Sequence, residues 1–159
     1  MLKILGTATA IAGCGLFILT GQQPRETAVY TAAQAEVGMT EFQSTCGKCH
    51  CNAHLGRNGD AGETPTVDSL PTGMREVVEN AGGQVPALAG ADFMTRWGGR
   101  TTKDLANRIR EAVGGFRPQN ADNDTYLRLT AYILKSNGAR PGSQGLTTAT
   151  VVEIRSVTK

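Results

Sequence analysis

The sequence predicts an all-α domain. Two late stretches carry apolar residues at helical spacing, and a glycine and an aromatic stand four residues apart ahead of a compact cysteine–histidine cluster. No stretch alternates apolar and polar residues with the period of two that a half-buried strand requires.

Residues 1–21 read as a signal peptide or a membrane anchor. Met1-Leu2-Lys3 carries one positive charge, and the chain from Ile4 to Thr20 is apolar or small. That run of about 17 residues is at the lower edge of what spans a bilayer. Three fates fit it. Cleavage could follow the small-x-small site Ala33-Gln34-Ala35. Ile11-Ala12-Gly13-Cys14 resembles a lipoprotein box that would leave Cys14 lipidated, although Leu16-Phe17-Ile18-Leu19 after it is unusual there. Alternatively the segment is retained, with Lys3 inside. Each fate places the rest of the chain on the periplasmic side of a bacterial membrane. Residues 22–35 are polar, Ala/Thr-rich and contain Pro24, as a linker or a cleaved region would. The folded domain is expected from 36 to 146, with a C-terminal tail over 147–159.

Within the domain, Gly38 and Phe42 share a helical face, and the glycine lets a second helix cross closely, the candidate for it lying near the end of the chain. Next comes Cys46-Gly47-Lys48-Cys49-His50. Two cysteines three apart, with histidine following, form the attachment signature of a c-type haem. On a helical turn both thiols lie on one face and can add across the two vinyl groups of one porphyrin. His50 then offers an imidazole nitrogen to the iron. Two other readings compete. A thioredoxin-like dithiol needs a strand–helix–strand setting, which is missing from the pattern. A zinc site could draw on Cys46, Cys49, His50, Cys51 and His54, but structural zinc usually takes ligands from two separated clusters.

Composition agrees with a haem-centred core. Aromatics are only 5% of the residues, so a bulky apolar cofactor would supply interior that the side chains lack. The formal charge of +2 would be roughly cancelled by two haem propionates, which argues against nucleic acid as a partner.

Two helices follow. The first is expected from Thr101 to Val113, with a Thr cap. It buries Leu105, Ile109, Ala112 and Val113 and leaves Lys103, Arg108 and Arg110 on a solvated face. The second runs from Asp124 to Asn137. Asp122, Asn123 or Asp124 caps it, Tyr126, Leu129, Tyr132 and Ile133 form its apolar face, and Gly138 stops it.

Taken together these residues resemble the class I c-type cytochromes, in particular the small monohaem cytochromes and cytochrome domains that serve bacterial dehydrogenases. Gly38 to Phe42, Cys46 to His50, Val85-Pro86-Ala87-Leu88-Ala89-Gly90, Trp97, Tyr126 to Leu134 and Asn137-Gly138 fall in family order. The resemblance implies one haem c, with the Pro86 carbonyl holding the His50 tautomer and Trp97 bordering the propionates. It also implies electron transfer between redox partner proteins such as a dehydrogenase or a respiratory complex.

The chain departs from the family at the second iron ligand. The position where the family carries methionine falls on Val113, followed by Gly114-Gly115-Phe116-Arg117-Pro118. His54, four residues after His50, would lie on the same side of the ring. Met39 reads as core, and Met94 packs near Trp97. Met74 lies in an insertion over residues 59–83, with a short helical pattern through Val77 and Val78, and is the candidate second axial ligand. The alternative is an open sixth site that binds small ligands or peroxide, with Arg117 the available cation. Cys51, where small cytochromes tend to have glycine, reads as a buried thiol or as one half of an intermolecular disulfide.

Overall fold

The computed structural model describes residues 27–50, 67–80, 82–83, 85–114 and 122–158. The expectations for residues 1–21, Cys51, His54 and Arg117 lie outside them. The described residues form α-helices and short 3-10 turns, with one isolated antiparallel bridge between Thr101 and Glu153 and no strand. None of these helices is long and apolar enough to cross a membrane.

Helix α1 (Ala32–Thr45) begins where Thr31 Oγ1 accepts the Gln34 amide at 3.2 Å. It therefore starts before residue 36, inside the stretch expected to be a linker. Tertiary contacts extend the order further upstream. Tyr30 is fully buried, its hydroxyl donates to the Ala139 carbonyl at 2.5 Å, and its own carbonyl accepts from the Gly142 amide at 2.7 Å. Gln34 binds both backbone groups of Leu146, at 2.9 and 2.8 Å.

The short helix α2 (Gly47–His50) follows α1 directly, and α3 (Thr72–Asn80) lies in the insertion. α3 closes on Gly82 and Gly83, both at positive φ, with the Gly83 amide on the Val78 carbonyl at 2.8 Å. α4 (Gly90–Trp97) buries Phe93 and Trp97. α5 (Thr102–Gly114) opens on a reciprocal cap. Thr101 Oγ1 accepts the Asp104 amide at 3.2 Å, and Asp104 Oδ2 accepts the Thr101 amide at 3.0 Å. α6 (Asn123–Ser136) is capped by Asp122, whose Oδ1 accepts the Thr125 amide at 2.8 Å. It ends with the Gly138 amide on the Lys135 carbonyl and the Ala139 amide on Leu134.

The dominant contact is the crossing of α6 over α1. At Gly38 the backbones meet so closely that an added Cβ would lie 2.0 Å from the Arg128 carbonyl oxygen. Beside it the Arg128 guanidinium bridges to Glu41 Oε1 at 2.7 and 3.0 Å, which holds the Arg128 pKa above its ordinary value. The sequence had already paired Gly38 with a late helix, and α6 is that helix.

The segment expected to be a tail belongs to the core. Ile154 is fully buried. The Thr102 amide donates to Val152 O at 2.9 Å, Ile154 N to Arg100 O at 2.9 Å, and Arg155 N to Gly98 O at 3.0 Å. Ile154→Ala is expected to cost about 2–4 kcal/mol, read as a lower midpoint in denaturant with unchanged slope.

Candidate functional site

The site is built on the junction of α1 and α2. Cys46 caps α1, its amide bonded to Phe42 O at 2.7 Å, and its own carbonyl accepts the amides of Cys49 and His50 at 3.1 and 2.8 Å. These bonds form one helical turn, so Cys46 and Cys49 share a face and His50 follows half-buried beside them.

Three elements define the surroundings of His50. The ring lies 6.4 Å, centroid to centroid, from Phe42 of α1, which in turn meets Tyr132 of α6 at 5.3 Å. Its Nδ1 stands 3.1 Å from the carbonyl oxygen of Pro86. A carbonyl can only accept, so Nδ1 carries the proton and Nε2 keeps its lone pair. Burial pushes the His50 pKa down to about 4, against the opposing pull of the Pro86 carbonyl. The imidazole is therefore neutral at pH 7, as a metal ligand must be.

This shift has a definite consequence for the chain without a metal. Unfolded His50 takes up a proton near pH 6.5 and folded His50 only near pH 4. The unfolded state thus binds more protons between those values. Stability present above pH 6.5 is lost as the pH falls towards 4, by roughly 3 kcal/mol at most. A denaturation series over that range on a variant unable to hold haem should show the fall, and His50→Gln should flatten it.

Pro86 is held in place from α6. Asn137 Nδ2 donates to Leu88 O at 2.9 Å and to Ile133 O at 2.8 Å, while its Oδ1 accepts the Gly90 amide at 3.1 Å. Gly90 has φ of 78°, a conformation that favours glycine. In the sequence Asn137 reads only as part of a helix stop. Its three bonds make it the staple that fixes residues 88–90, and through them Pro86. Asn137→Ala is expected to destabilise by about 2–3 kcal/mol, because it strands the Gly90 amide and the Leu88 carbonyl. The His50 ring-proton resonances should shift with it.

The two thiols border different apolar clusters. Cys46 packs on Phe42, Leu129 and Tyr132, together with Met39, Leu88, Ala89, Ile109 and Tyr126. Cys49 packs on the buried Leu70, Val78 and Val85, with Val67 and Met74. Met74 Sδ stands 4.0 Å from Cys49 Sγ. Trp97 sits apart in the main core, stacked near Phe93 at 6.5 Å, with the Arg100 guanidinium 5.2 Å from its ring centre. Arg100 is a cation suited to a carboxylate near Trp97, and sequence reading had passed over it.

Among the described residues, no three His, Cys, Asp or Glu side chains converge to hold a metal ion. The Cys46, Cys49 and His50 set does fit haem c. It offers two thiols on one face, a neutral imidazole with a free Nε2, and a largely apolar border on either side. No family model, curated protein or solved structure matches the chain.

Proposed function

We propose that the chain is a monohaem c-type cytochrome carrying single electrons between a dehydrogenase or respiratory donor and an acceptor, on the periplasmic side of a bacterial membrane. The observation that carries this reading is the bond from His50 Nδ1 to the Pro86 carbonyl, on the same turn as two thiols three residues apart.

Cys46 and Cys49 would hold haem c through two thioethers, and His50 would present Nε2 to the iron. Bound haem supplies a metal that alternates between ferrous and ferric states. The chain's residues keep the seat rigid around that change. The Pro86 carbonyl orients the imidazole and raises its basicity as a ligand. Phe42 borders the ring and is itself backed by Tyr132, and Asn137 restrains the segment that carries Pro86. An unyielding seat suits electron transfer, in which little should move when the charge changes.

An electron carrier is favoured over a peroxide-consuming enzyme. Peroxide chemistry calls for an acid–base pair beside the metal, and the sequence offers no such pair as a candidate. The N-terminal segment would either tether the carrier to the membrane or, once cleaved, release it as a shuttle.

The test is a visible spectrum of the denatured protein, matured in a cell able to attach haem. Haem retained on the polypeptide supports the reading. Colourless protein with the mass of the bare chain defeats it.

A further inference from the structure

Two guanidiniums from different segments rest on the turn that ends α4. The Arg100 guanidinium lies 5.2 Å from the centre of the Trp97 ring. Arg155 reaches the same turn from the C-terminal segment. Its amide donates to the Gly98 carbonyl at 3.0 Å, and a Cβ placed on Gly98 would lie 3.0 Å from its Nη2 and 3.2 Å from its Nε. The Ile154 amide on the Arg100 carbonyl at 2.9 Å ties the two segments together, so both arginines stand on a braced backbone. Arg155 follows residue 146, beyond the reach of the family resemblance.

Both arginines are exposed, as are Arg96 in the last turn of α4 and Lys103 in the first turn of α5. Arg100 and Lys103 stand at the N-terminus of α5, where the helix dipole disfavours positive charge. Their placement therefore works against the helix. Asp104 shares that turn, but its carboxylate is already engaged by the amide and hydroxyl of Thr101, at 3.0 and 2.7 Å. Those bonds, and after them Arg100 and Lys103, hold its pKa below the usual carboxylate range. Glu153, bridged to Thr101, is the other acid at this corner. Further along α5 the exposed cations are matched within the helix, Arg108 with Glu111 at 3.5 Å and Arg110 with Asn107 at 3.2 Å.

We propose that Arg100 and Arg155, flanked by Arg96 and Lys103, form the docking surface for an acidic protein partner, whose carboxylates the two guanidiniums receive. A planar guanidinium matches a carboxylate with two parallel bonds. Contact with Trp97 and Gly98 already restrains both side chains, so docking costs them less freedom. Complementary charge of this kind sets encounter rate and orientation. As the dock of a redox partner, the surface rests on the haem reading above.

The experiment uses the full chain with haem attached, reduced and labelled with nitrogen-15, and a glutamate oligopeptide as the probe. Trp97 is the single tryptophan, so its indole N–H resonance reports on this corner alone. A saturable shift of that resonance and of the Gly98 and Arg155 amides is expected, fading as salt is added. Arg100→Gln with Arg155→Gln should weaken binding about tenfold. Arg108→Gln with Arg110→Gln removes the same charge from α5 and should weaken it by less than about twofold. Equal losses in the two double variants would reduce the effect to net charge and overturn the proposal. It is also overturned by an absent shift, by inorganic phosphate giving the same shifts, or by tighter binding to phosphatidylglycerol vesicles. If a double variant fails to fold, the wild-type shift map decides, and shifts centred on Arg108 or Lys135 overturn the proposal. A denatured spectrum without haem defeats the haem reading, whereas the titration judges the surface separately.

Discussion

Cys46→Ala combined with Cys49→Ala should yield a colourless protein close to its folding threshold. Removing both thiols abolishes the thioethers and leaves His50 as the sole tie to the metal. The second effect is on stability. A chain with 5% aromatic residues would, on the haem reading, gain much of its interior from the cofactor. If haem buries roughly 200–300 Å² of apolar side-chain surface, its loss costs about 5–8 kcal/mol. Domain stabilities of about 5–15 kcal/mol leave little after that subtraction. Near-ultraviolet circular dichroism and thermal melts of the double variant would check it. A variant that melts at the wild-type temperature would show that haem adds nothing to the core. His50→Gly, by contrast, should keep covalent haem and recover its axial ligation when imidazole is added.

The second large effect is expected at Gly38. Its α-hydrogen faces the Arg128 backbone, and a methyl there would lie 2.0 Å from the carbonyl oxygen and 2.5 Å from the carbonyl carbon. Neither is the end of a flexible side chain, so the whole of α6 has to move. Gly38→Ala gains helix propensity of about 1 kcal/mol, yet overpacking of a helix crossing costs about 3 kcal/mol or more. The net loss should lower the melting temperature by several degrees. The Glu41–Arg128 pair lies on the same interface and would be pulled apart, leaving a partly buried carboxylate without its cation. A Gly38→Ala protein as stable as wild type would mean that the helices have slack at their crossing.

Local signals carried the helices well. Thr101, Asp122 and Gly138 mark helix ends through bonds to residues within five positions, and such bonds are written in adjacent sequence. The pairing of Gly38 with a late helix was legible because the absence of a side chain is itself a packing signal. The boundaries were harder to read. Residues 27–31 and 147–158 look like tether and tail in composition, since they are rich in threonine and carry no helical apolar spacing. Their order comes from partners about 110 positions apart in one case, and in the other from backbone bonds that leave no side-chain pattern. At the site, the cysteine–histidine motif was read from spacing alone. The part played by Asn137 was not, because an asparagine before a glycine is already explained by the helix stop.

The described ends of the chain lie together. Thr27 and Ala28 line one small cavity with Gly138, Arg140 and Ser156 to Thr158. From there α1 runs 14 residues, about 21 Å at the rise of an α-helix, before it reaches the thiols. A membrane, a fused partner or an electrode gripping either end would therefore hold the molecule at the foot of a rod. Cys46 and Cys49, at the far end of α1, would stand a helix length away from that grip.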